Sequence, residues 1–345
     1  MQKRIVFGAL AAVLAVFLGG VGMALAQIPI TECGQVIPRG QTGELTQDLT
    51  CPDAPGMCSD YSRPCDTDDD CPRGSWCDEP AGVYLESGAT VNMNGFAIDS
   101  EGSGVACRPQ RCTILGPGVI RAAQWGVRML NANRASVIEI SDILIDGSRT
   151  GILSGWGKVF ATSLTIQNCW GYGMFAGKLL GSDIAVNDSG LDGIFINWPG
   201  SIIADNVTVN GNASAGIYND PKVKGSNITA NLNGSYGIVA HSIVATGVET
   251  KGNAMGGVSS RRIARITGLA SMNNAGPGLE SQGHVMLLDS TLSDNDASGD
   301  GIDILSTRQP RLSNTTCSRS ERMICEPRSW DCTRTGESWG VCSLD

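Results

Sequence analysis

The sequence contains few aromatic residues and no excess of positive charge. After the N-terminal residues 5–21, the sequence also lacks any long hydrophobic run. Aromatic side chains make up 5% of the 345 residues, whereas glycine occurs 45 times. A large sandwich core would hold more phenylalanine and tyrosine, so this composition favours a narrow core of small and β-branched residues. The net charge of −9 argues against nucleic acid or an anionic membrane surface as a partner.

The one long hydrophobic run lies at the N-terminus, over residues 5–21. It follows the basic pair Lys3-Arg4 and precedes the small-residue pattern Ala24-Leu25-Ala26. This order predicts a signal peptide over residues 1–26. A retained membrane anchor is the alternative, but the run is short for a full span and no second run follows. We therefore expect a secreted, extracytoplasmic chain with no membrane association after cleavage.

Cysteine is nearly absent from the middle of the chain, where Cys169 stands alone between Cys112 and Cys317. The other cysteines lie towards the two ends, which suits an oxidising compartment and an elongated fold with capped ends. We expect Cys169 to be a buried free thiol. The sequence leaves the pairing within each four-cysteine cluster open, since each allows three arrangements. The cysteines predicted to form disulfides are Cys33, Cys51, Cys58, Cys65, Cys71, Cys77, Cys107, Cys112, Cys317, Cys325, Cys332 and Cys342.

A glycine followed by an aliphatic residue returns about every 21 residues from the 120s to the low 300s. A period of this length, built from short strands and polar turns, indicates a solenoid. The repeated pairs are Gly126-Val127, Gly151-Ile152, Gly173-Met174, Gly193-Ile194, Gly216-Ile217, Gly237-Ile238, Gly257-Val258, Gly278-Leu279 and Gly301-Ile302.

Each repeat divides into three short strands separated by turns. The first strand follows the glycine and directs its aliphatic residue inward. The second ends at a column of residue types that tolerate a left-handed backbone. A third strand and a polar loop rich in asparagine complete the repeat. The turn column is Gly118, Asp142, Ser163, Asp183, Asn206, Asn227, Gly247, Gly268 and Ser290.

This pattern predicts an all-β, right-handed parallel β-helix of about ten rungs over residues 27–315. A disulfide-rich cap is expected over residues 316–345. Asparagine and aspartate stacked along such a rod should hydrogen-bond from rung to rung. We interpret triplets such as Asn206-Val207-Thr208 in this way, as turn chemistry rather than as glycosylation sites.

The opening Cys33-Gly34 and the Asn94-Gly95 pair of the first rung, with the glycine repeats, resemble a known group of proteins. These are the secreted right-handed β-helix proteins of the pectin-lyase-like superfamily, and the resemblance covers residues 33–315. It implies the fold, but the superfamily includes lyases, hydrolases, epimerases, adhesins and proteins of no known reaction. The Asp-Pro-His-Asp string of alginate epimerases is absent. Only a fragment of the polygalacturonase motifs is present, at residues 283–285.

Residues 57–81 interrupt this pattern with four closely spaced cysteines, and we expect a small disulfide knuckle inserted as a loop. Asp66, Asp68 and Asp70 alternate within it as calcium ligands often do, although the glycine of a calcium loop is absent. A solvated acidic loop is the alternative. No other cofactor is expected.

The residue two positions after each glycine should point outward on the first strand. Phe175, Phe195 and Tyr218 occupy this column on consecutive rungs, and the column ends at Asp303. Flat aromatic side chains in a row can stack against sugar rings, so we predict that these three bind substrate. A strip of good β-formers covered by a loop or a dimer contact is the alternative.

Four positions after each glycine, a second column contains Asn197, Asp220, His241 and Arg261 and ends at Leu305. Asn197 is the fourth predicted substrate-binding residue. An aspartate that orients a histidine, beside an arginine that binds a carboxylate, would suit a lyase or epimerase. Asp220, His241 and Arg261 are therefore the candidate catalytic residues. A solvated ladder of alternating charges is the alternative.

These features predict an exported protein whose partner is an extracellular polysaccharide, recognised along the first-strand face. A lyase, hydrolase or epimerase activity is left open. A glycosidase would need two facing carboxylates. The available ones are Asp192, Asp220, Glu280 and Asp303, and of these we take only Asp192 and Asp220 to lie on adjacent rungs. The rung lengths barely vary here, so no long loop is expected to wall a cleft. The alternative function is a non-catalytic surface or adhesive protein.

Overall fold

The computed structural model describes residues 27–54, 56–58, 64–65, 67–73, 77–219, 221–296, 301–325 and 332–342. The predicted signal peptide lies outside these ranges. Among the described residues, no helix is long and apolar enough to cross a membrane. The only helical segment that they contain is a 3-10 turn at Asp68–Asp70.

Nearly all of the regular structure is β-strand, and the strands are numbered here in chain order. The first thirteen are β1 Ile28–Ile30, β2 Gln35–Ile37, β3 Thr42–Leu45, β4 Leu49–Cys51, β5 Gly56–Cys58, β6 Pro64–Cys65, β7 Cys77–Asp78, β8 Ala81–Leu85, β9 Ala89–Asn92, β10 Ala97–Ser100, β11 Ser103–Cys107, β12 Arg111–Ala122 and β13 Trp125–Met129. The others are β14 Val137–Asp146, β15 Thr150–Leu153, β16 Lys158–Gln167, β17 Met174–Asn187, β18 Ile194–Asn210, β19 Ile217–Tyr218, β20 Lys222–Thr229, β21 Ile238–Lys251, β22 Val258–Met272, β23 Leu279–Ser281, β24 His284–Ser293, β25 Ile304–Ser306, β26 Arg311–Cys325 and β27 Cys332–Cys342.

The strands wind into a right-handed parallel β-helix of about eleven turns, which confirms the predicted fold. Each turn contributes to three parallel faces, named here the first-, second- and third-strand faces in the order in which the chain passes through them. β17 and β18 illustrate the register, because they pair along all three faces. Met174 pairs with Ile194 on the first, Leu179 with Ile202 on the second and Ile184 with Val207 on the third.

A column of aliphatic side chains fills the interior behind the first-strand face. Ile152, Met174, Ile194, Ile217 and Ile238 are fully buried at successive turns, as the glycine repeat predicts. Every turn places an equivalent side chain directly above the last, so each packs against its own counterparts. The narrow core explains why so few aromatic residues are needed.

An asparagine ladder runs along the interior from turn to turn, at the bend that follows the third strand of each repeat. Its members are Asn212, Asn233, Asn253, Asn274 and Asn295. The Nδ2 of each donates to the Oδ1 of the next at 2.8–3.0 Å. All five are buried, so these bonds satisfy amides that water cannot reach. The ladder confirms the predicted rung-to-rung bonding.

The ladder also explains the repeated glycine. A Cβ on Gly193 would lie 2.7 Å from Nδ2 of Asn212, and one on Gly216 would lie 2.9 Å from Nδ2 of Asn233. Both distances are shorter than a carbon atom and an amide nitrogen tolerate. In these turns the glycine and the asparagine therefore meet in one contact, whereas in the turns before the ladder the glycine meets a core side chain and the carbonyl of the next repeated glycine.

The turn column between the second and third strands is confirmed except at its two ends. Its interior members, from Asp142 to Gly268, have a positive φ of 50° to 70°. At the C-terminal end the residue with positive φ is Asp289, at 51°, and not Ser290. At the other end Gly118 pairs with Ile143 and begins a third strand, so it is not the turn residue.

The last turn also differs from the prediction based on Gly301-Ile302. Leu279 pairs with Ile304, so Asp303 takes the place of the glycine and its side chain is fully buried. Its Oδ1 accepts a 2.7 Å hydrogen bond from Asn295, because the next turn supplies no asparagine to continue the ladder. The prediction that Asp303 lies in the outward column is wrong. Leu305 takes that position opposite Glu280, rather than the end of the second column.

Both ends of the β-helix carry disulfides, and all twelve cysteines predicted to be paired are bonded. β27 returns antiparallel along β26 to form the C-terminal cap, while β5, β6 and β7 form a small antiparallel sheet within the insert. The pairs are Cys33–Cys51, Cys58–Cys71, Cys65–Cys77, Cys107–Cys112, Cys317–Cys342 and Cys325–Cys332.

Cys169 is free and buried, as predicted. It lies in the column of the asparagine ladder, two turns before Asn212, with Ser148 and Ser189 on either side. Burial raises the pKa of its thiol to about 12. The thiol therefore stays protonated and occupies a place where later turns use an amide.

Candidate functional site

Three aromatic side chains form a continuous strip on the outside of the first-strand face. Phe175 pairs with Phe195, and Phe195 pairs with Tyr218, so the predicted register holds. The two phenylalanine rings stack with centroids 4.8 Å apart and planes 7° from parallel. The Tyr218 ring lies 6.0 Å from that of Phe195, and this residue is 42% exposed. We call these three residues the aromatic strip.

Tyr172 borders the aromatic strip and was not predicted from the sequence. Its ring centroid lies 5.8 Å from that of Phe175 and 5.2 Å from that of Phe195, in tilted arrangements. Burial and the neighbouring Asp192 raise the pKa of Tyr172. Tyr172 directly precedes the repeated glycine, a position that belongs to neither of the two predicted columns.

Asp192 occupies the same pre-glycine position one turn after Tyr172. It is 5% exposed, and its Oδ1 accepts a 2.9 Å hydrogen bond from the backbone N–H of Ala215. Burial raises the pKa of this carboxyl, and hydrogen bonds from Ser214 and Ala215 oppose the shift only in part. A carboxyl held closer to neutrality than usual is suited to donate a proton or to hydrogen-bond a hydroxyl.

A cavity of about 470 Å³ adjoins the Tyr218 end of the aromatic strip. The hydroxyl of Tyr236 donates a 2.7 Å hydrogen bond to Oε2 of Glu280 there. Burial and the Glu280 charge raise the pKa of Tyr236, so the phenol remains a donor. No long loop is needed to wall the cavity, since side chains from successive turns form it. They are Tyr218, Asn219, Ser235, Tyr236, Val239, Met255, Ser259 and Glu280.

Two of the predicted catalytic residues lie at the corner between the first and second strands. β21 and β22 change register between Ala240 and Ser242. The irregularity leaves His241 beside two residues of the next turn, Arg261 and Arg262, and the strand register matches it to neither. The side chains of His241 and Arg261 are half-buried. Asp220 lies outside the described residues, so its contact with His241 stays a prediction.

Asn197 lies at the same corner but lines a different cavity from the one beside Tyr218. That second cavity, of about 210 Å³, also contains Trp156, Lys158 and Lys178. The sequence predicted Asn197 as a substrate-binding residue from the column four positions after each glycine, beside the aromatic strip. In the structure its side chain belongs to a basic environment instead.

The predicted calcium site falls partly outside the described residues, because Asp66 is not among them. Oδ2 of Asp70 accepts hydrogen bonds from the backbone N–H and the hydroxyl of Thr67, at 2.9 and 3.3 Å. Cys58, Cys65 and Cys71 lie within 4.8 Å of one another. Their sulfur atoms are bonded in the disulfides described above. Calcium binding stays a prediction.

A comparison with protein-family models and with curated proteins finds no match for this chain. Several solved structures are similar. The A-module of the Azotobacter vinelandii mannuronan C-5 epimerase AlgE4 has a TM-score of 0.46 and 18% identity, covering 70% of this chain and 80% of that one. The periplasmic alginate epimerase AlgG gives 0.44 and 12%, with 68% and 77% covered.

The catalytic domain of a GH87 α-1,3-glucanase in complex with nigerose is also similar. Its TM-score is 0.34 and its identity 10%, with 83% of this chain and 61% of that one covered. At these values the similarity indicates neither a substrate nor a reaction. The β-helix itself is established by the strand register of this chain. Its candidate site consists of the aromatic strip, the carboxyls of Asp192 and Glu280, and His241 with Arg261 at the corner between the first and second strands.

Proposed function

We propose that this protein is exported and binds a polysaccharide along the aromatic strip. The observation that carries the proposal is the near-parallel stacking of Phe175 and Phe195, continued by Tyr218 into the 470 Å³ cavity. Neighbouring strands lie about 4.8 Å apart, so the strip extends for roughly 10 Å along the helix axis. Because the two phenylalanine rings cover each other's faces, the apolar face of a sugar would pack on the exposed ring of Tyr218 and along the outer edge of the strip.

Polar groups beside the aromatic strip are suited to the hydroxyls of a sugar. Asp192 lies next to the ring of Tyr172, and Glu280 with Tyr236 borders the cavity at the other end. A sugar that stacks on the strip presents its hydroxyls at the ring edge, where these groups can accept or donate hydrogen bonds. Aromatic stacking combined with a few placed polar groups is typical of saccharide recognition.

The same face carries residues that could process a bound polysaccharide. His241 and Arg261 lie on adjacent turns, and Asp220 directly precedes Pro221, whose carbonyl accepts a 2.8 Å hydrogen bond from the backbone N–H of His241. A lyase or epimerase would use the imidazole as a base and the guanidinium to stabilise the developing negative charge. Asp192, with its raised pKa, would be the proton donor on the opposite side of the strip.

Export agrees with the state of the cysteines. Six disulfides join twelve of them, at both ends of the β-helix and in the insert. Such bonds persist in oxidising compartments and are rare in the cytosol. Together with the N-terminal hydrophobic run, they support a binding event outside the cytoplasm.

A polysaccharide panel tests the proposal, scored for both binding and depolymerisation or epimerisation with the mature, disulfide-bonded protein. We expect one polysaccharide class to bind, and Tyr218→Ala to weaken that binding. A turnover that is lost in His241→Ala but retained in Tyr218→Ala would establish an enzyme. Binding by the wild type without any turnover, unaffected by His241→Ala and lost in Tyr218→Ala, would limit the function to recognition. No binding anywhere in the panel would contradict the proposal and favour a structural or adhesive protein.

A further inference from the structure

The second cavity, at the corner between the first and second strands, has a composition unlike that of the whole chain. It has a volume of about 210 Å³, and Arg134, Lys158 and Lys178 are among its lining residues. None of its lining residues is acidic, although the chain has a net charge of −9. We call this cavity the basic pocket. Its complete lining is Arg134, Trp156, Lys158, Gly177, Lys178, Asn197, Pro199, Gly200 and Ser201.

The strand register brings the positive charges of the basic pocket together. Lys158 and Lys178 are direct partners in neighbouring parallel strands, so their side chains leave the same face about 4.8 Å apart. Like charges at this position destabilise a sheet unless something compensates them. A ligand with negative charge would supply that compensation.

These cations have no carboxylate partner within the part of the chain that the structure describes. The surface arginines of earlier turns do have one, since Arg111 pairs with Glu139 and Arg121 with Asp99. No such ion pair is formed by Lys158, Lys178 or Arg134 among the described residues. The positive charge of the basic pocket is therefore available to an anion.

Trp156 supplies a second kind of contact at the same place. Its side chain is 45% exposed, and the guanidinium of Arg134 lies 5.7 Å from the centroid of the indole ring. The amide of Asn197 and the hydroxyl of Ser201 add hydrogen-bonding groups to the lining. An exposed indole beside cations and neutral donors fits a sugar ring that carries an anionic group better than it fits a bare ion.

We propose that the basic pocket is a second saccharide site, which binds a sugar unit bearing a carboxylate or a sulfate. Lys158 and Lys178 contact the anionic group, and Trp156 packs against the ring. The volume is below the roughly 300 Å³ at which pockets for larger ligands begin, which suits one residue of a chain rather than a long segment. The site stands independently of the aromatic strip, whose neighbouring charges are the carboxyls of Asp192 and Glu280.

Isothermal titration of the mature protein tests the site with four probes. They are an oligogalacturonate, a sulfated oligosaccharide, a neutral malto-oligosaccharide and inorganic sulfate. We expect one of the two acidic saccharides to bind at least tenfold more tightly than the neutral saccharide and inorganic sulfate, with an affinity that falls as salt is added. The tighter of the two acidic probes identifies the anionic group. Equal affinity for the neutral saccharide, or for sulfate alone, would overturn the proposal.

Variants assign the binding to this pocket. Lys158→Gln combined with Lys178→Gln should weaken binding of the acidic saccharide about 10- to 100-fold, which is ~1.4–2.8 kcal/mol in total, because both charged contacts to the anionic group are lost. Trp156→Ala should weaken it several-fold. Lys251→Gln, which removes one exposed lysine from the third-strand face, is the matched control and should leave the affinity unchanged.

A further control separates this site from the aromatic strip. Phe195→Ala should leave binding at the basic pocket intact, even if it removes binding on the first-strand face. Thermal melting confirms that each variant is folded, and the substitutions are all at exposed or half-buried positions. An acidic saccharide whose affinity is the same in the double lysine variant and in the wild type would contradict the assignment.

Discussion

The asparagine ladder inside the β-helix and the aromatic strip outside it repeat with the same period and overlap along the rod. The ladder lies in the buried interior, whereas the strip lies on the outer surface. Every amide of the ladder is buried and bonded to its neighbours, so each member depends on the next. The phenylalanine rings of the aromatic strip stack on one another, and Tyr218 at the end of the strip is 42% exposed. The interior column fixes the fold, and the exterior column is free to serve recognition.

The largest effect is expected from breaking the asparagine ladder in its middle. The backbone N–H and the Nδ2 of Asn233 both donate to Oδ1 of Asn253, at 3.0 Å each. Asn253→Ala removes this common acceptor. Each donor loses one buried hydrogen bond, although Nδ2 keeps its second bond to the carbonyl of Val209. We expect a cost of about 3 kcal/mol in the free energy of unfolding. Guanidinium unfolding measures this loss. Asn187→Ala is the control at an outward position, where its Oδ1 accepts a 3.2 Å hydrogen bond from the half-buried backbone N–H of Asn210. Water can replace that acceptor, so stability should change by less than about 1 kcal/mol.

A smaller loss is expected from the other side of the same contact. Gly216→Ala places a Cβ 2.6 Å from the carbonyl oxygen of Gly237 and 2.9 Å from Nδ2 of Asn233. Because backbone must move to relieve the first clash, we expect a loss of about 2 kcal/mol, within the range for overpacked interiors. Comparing the unfolding midpoints of Gly216→Ala, Asn253→Ala and the wild type tests this expectation. A variant as stable as the wild type would show that the glycine does not serve the ladder.

The free thiol in the same interior column predicts a pH dependence. Burial raises the pKa of Cys169 from 9.0 to about 12, so the folded state retains a proton that the unfolded state loses. The free energy of unfolding should be unaffected by this group below pH 9 and should fall as the pH rises from 9 towards 12. The slope approaches ~1.4 kcal/mol per pH unit. Cys169→Ala should lose this contribution, as paired titrations of stability against pH would reveal.

The interior columns could be predicted from the sequence because they repeat. Aliphatic residues after each glycine and asparagines in the loops follow from period and residue type alone. The last turn could not be predicted in this way, since Asp303 replaces a glycine to end the ladder and moves the register by two residues. The repeat predicts which residue faces outward, but it does not predict which groups that side chain contacts at the corner between two strands. That is why Tyr172 and the basic pocket were missed.

The smallest effect on stability is expected on the exterior column. Tyr218→Ala removes a ring that is 42% exposed and stands at the end of the aromatic strip. We expect the free energy of unfolding to change by less than about 1 kcal/mol, because little packing is lost at such a position. Denaturant unfolding of Tyr218→Ala and Asn253→Ala, measured under the same conditions, would compare the two columns directly. A loss as large as that of Asn253→Ala would indicate that the aromatic strip is part of the structural core.

The most direct test of the account compares two phenylalanines on different faces of the rod. Phe195 lies in the middle of the aromatic strip, whereas Phe160 is 40% exposed on the second-strand face. With the polysaccharide selected by the panel, Phe195→Ala should lower the affinity by about tenfold or more, and Phe160→Ala should leave it unchanged. Equal affinities in Phe195→Ala and the wild type, with both proteins folded, would contradict the claim that the aromatic strip binds saccharide.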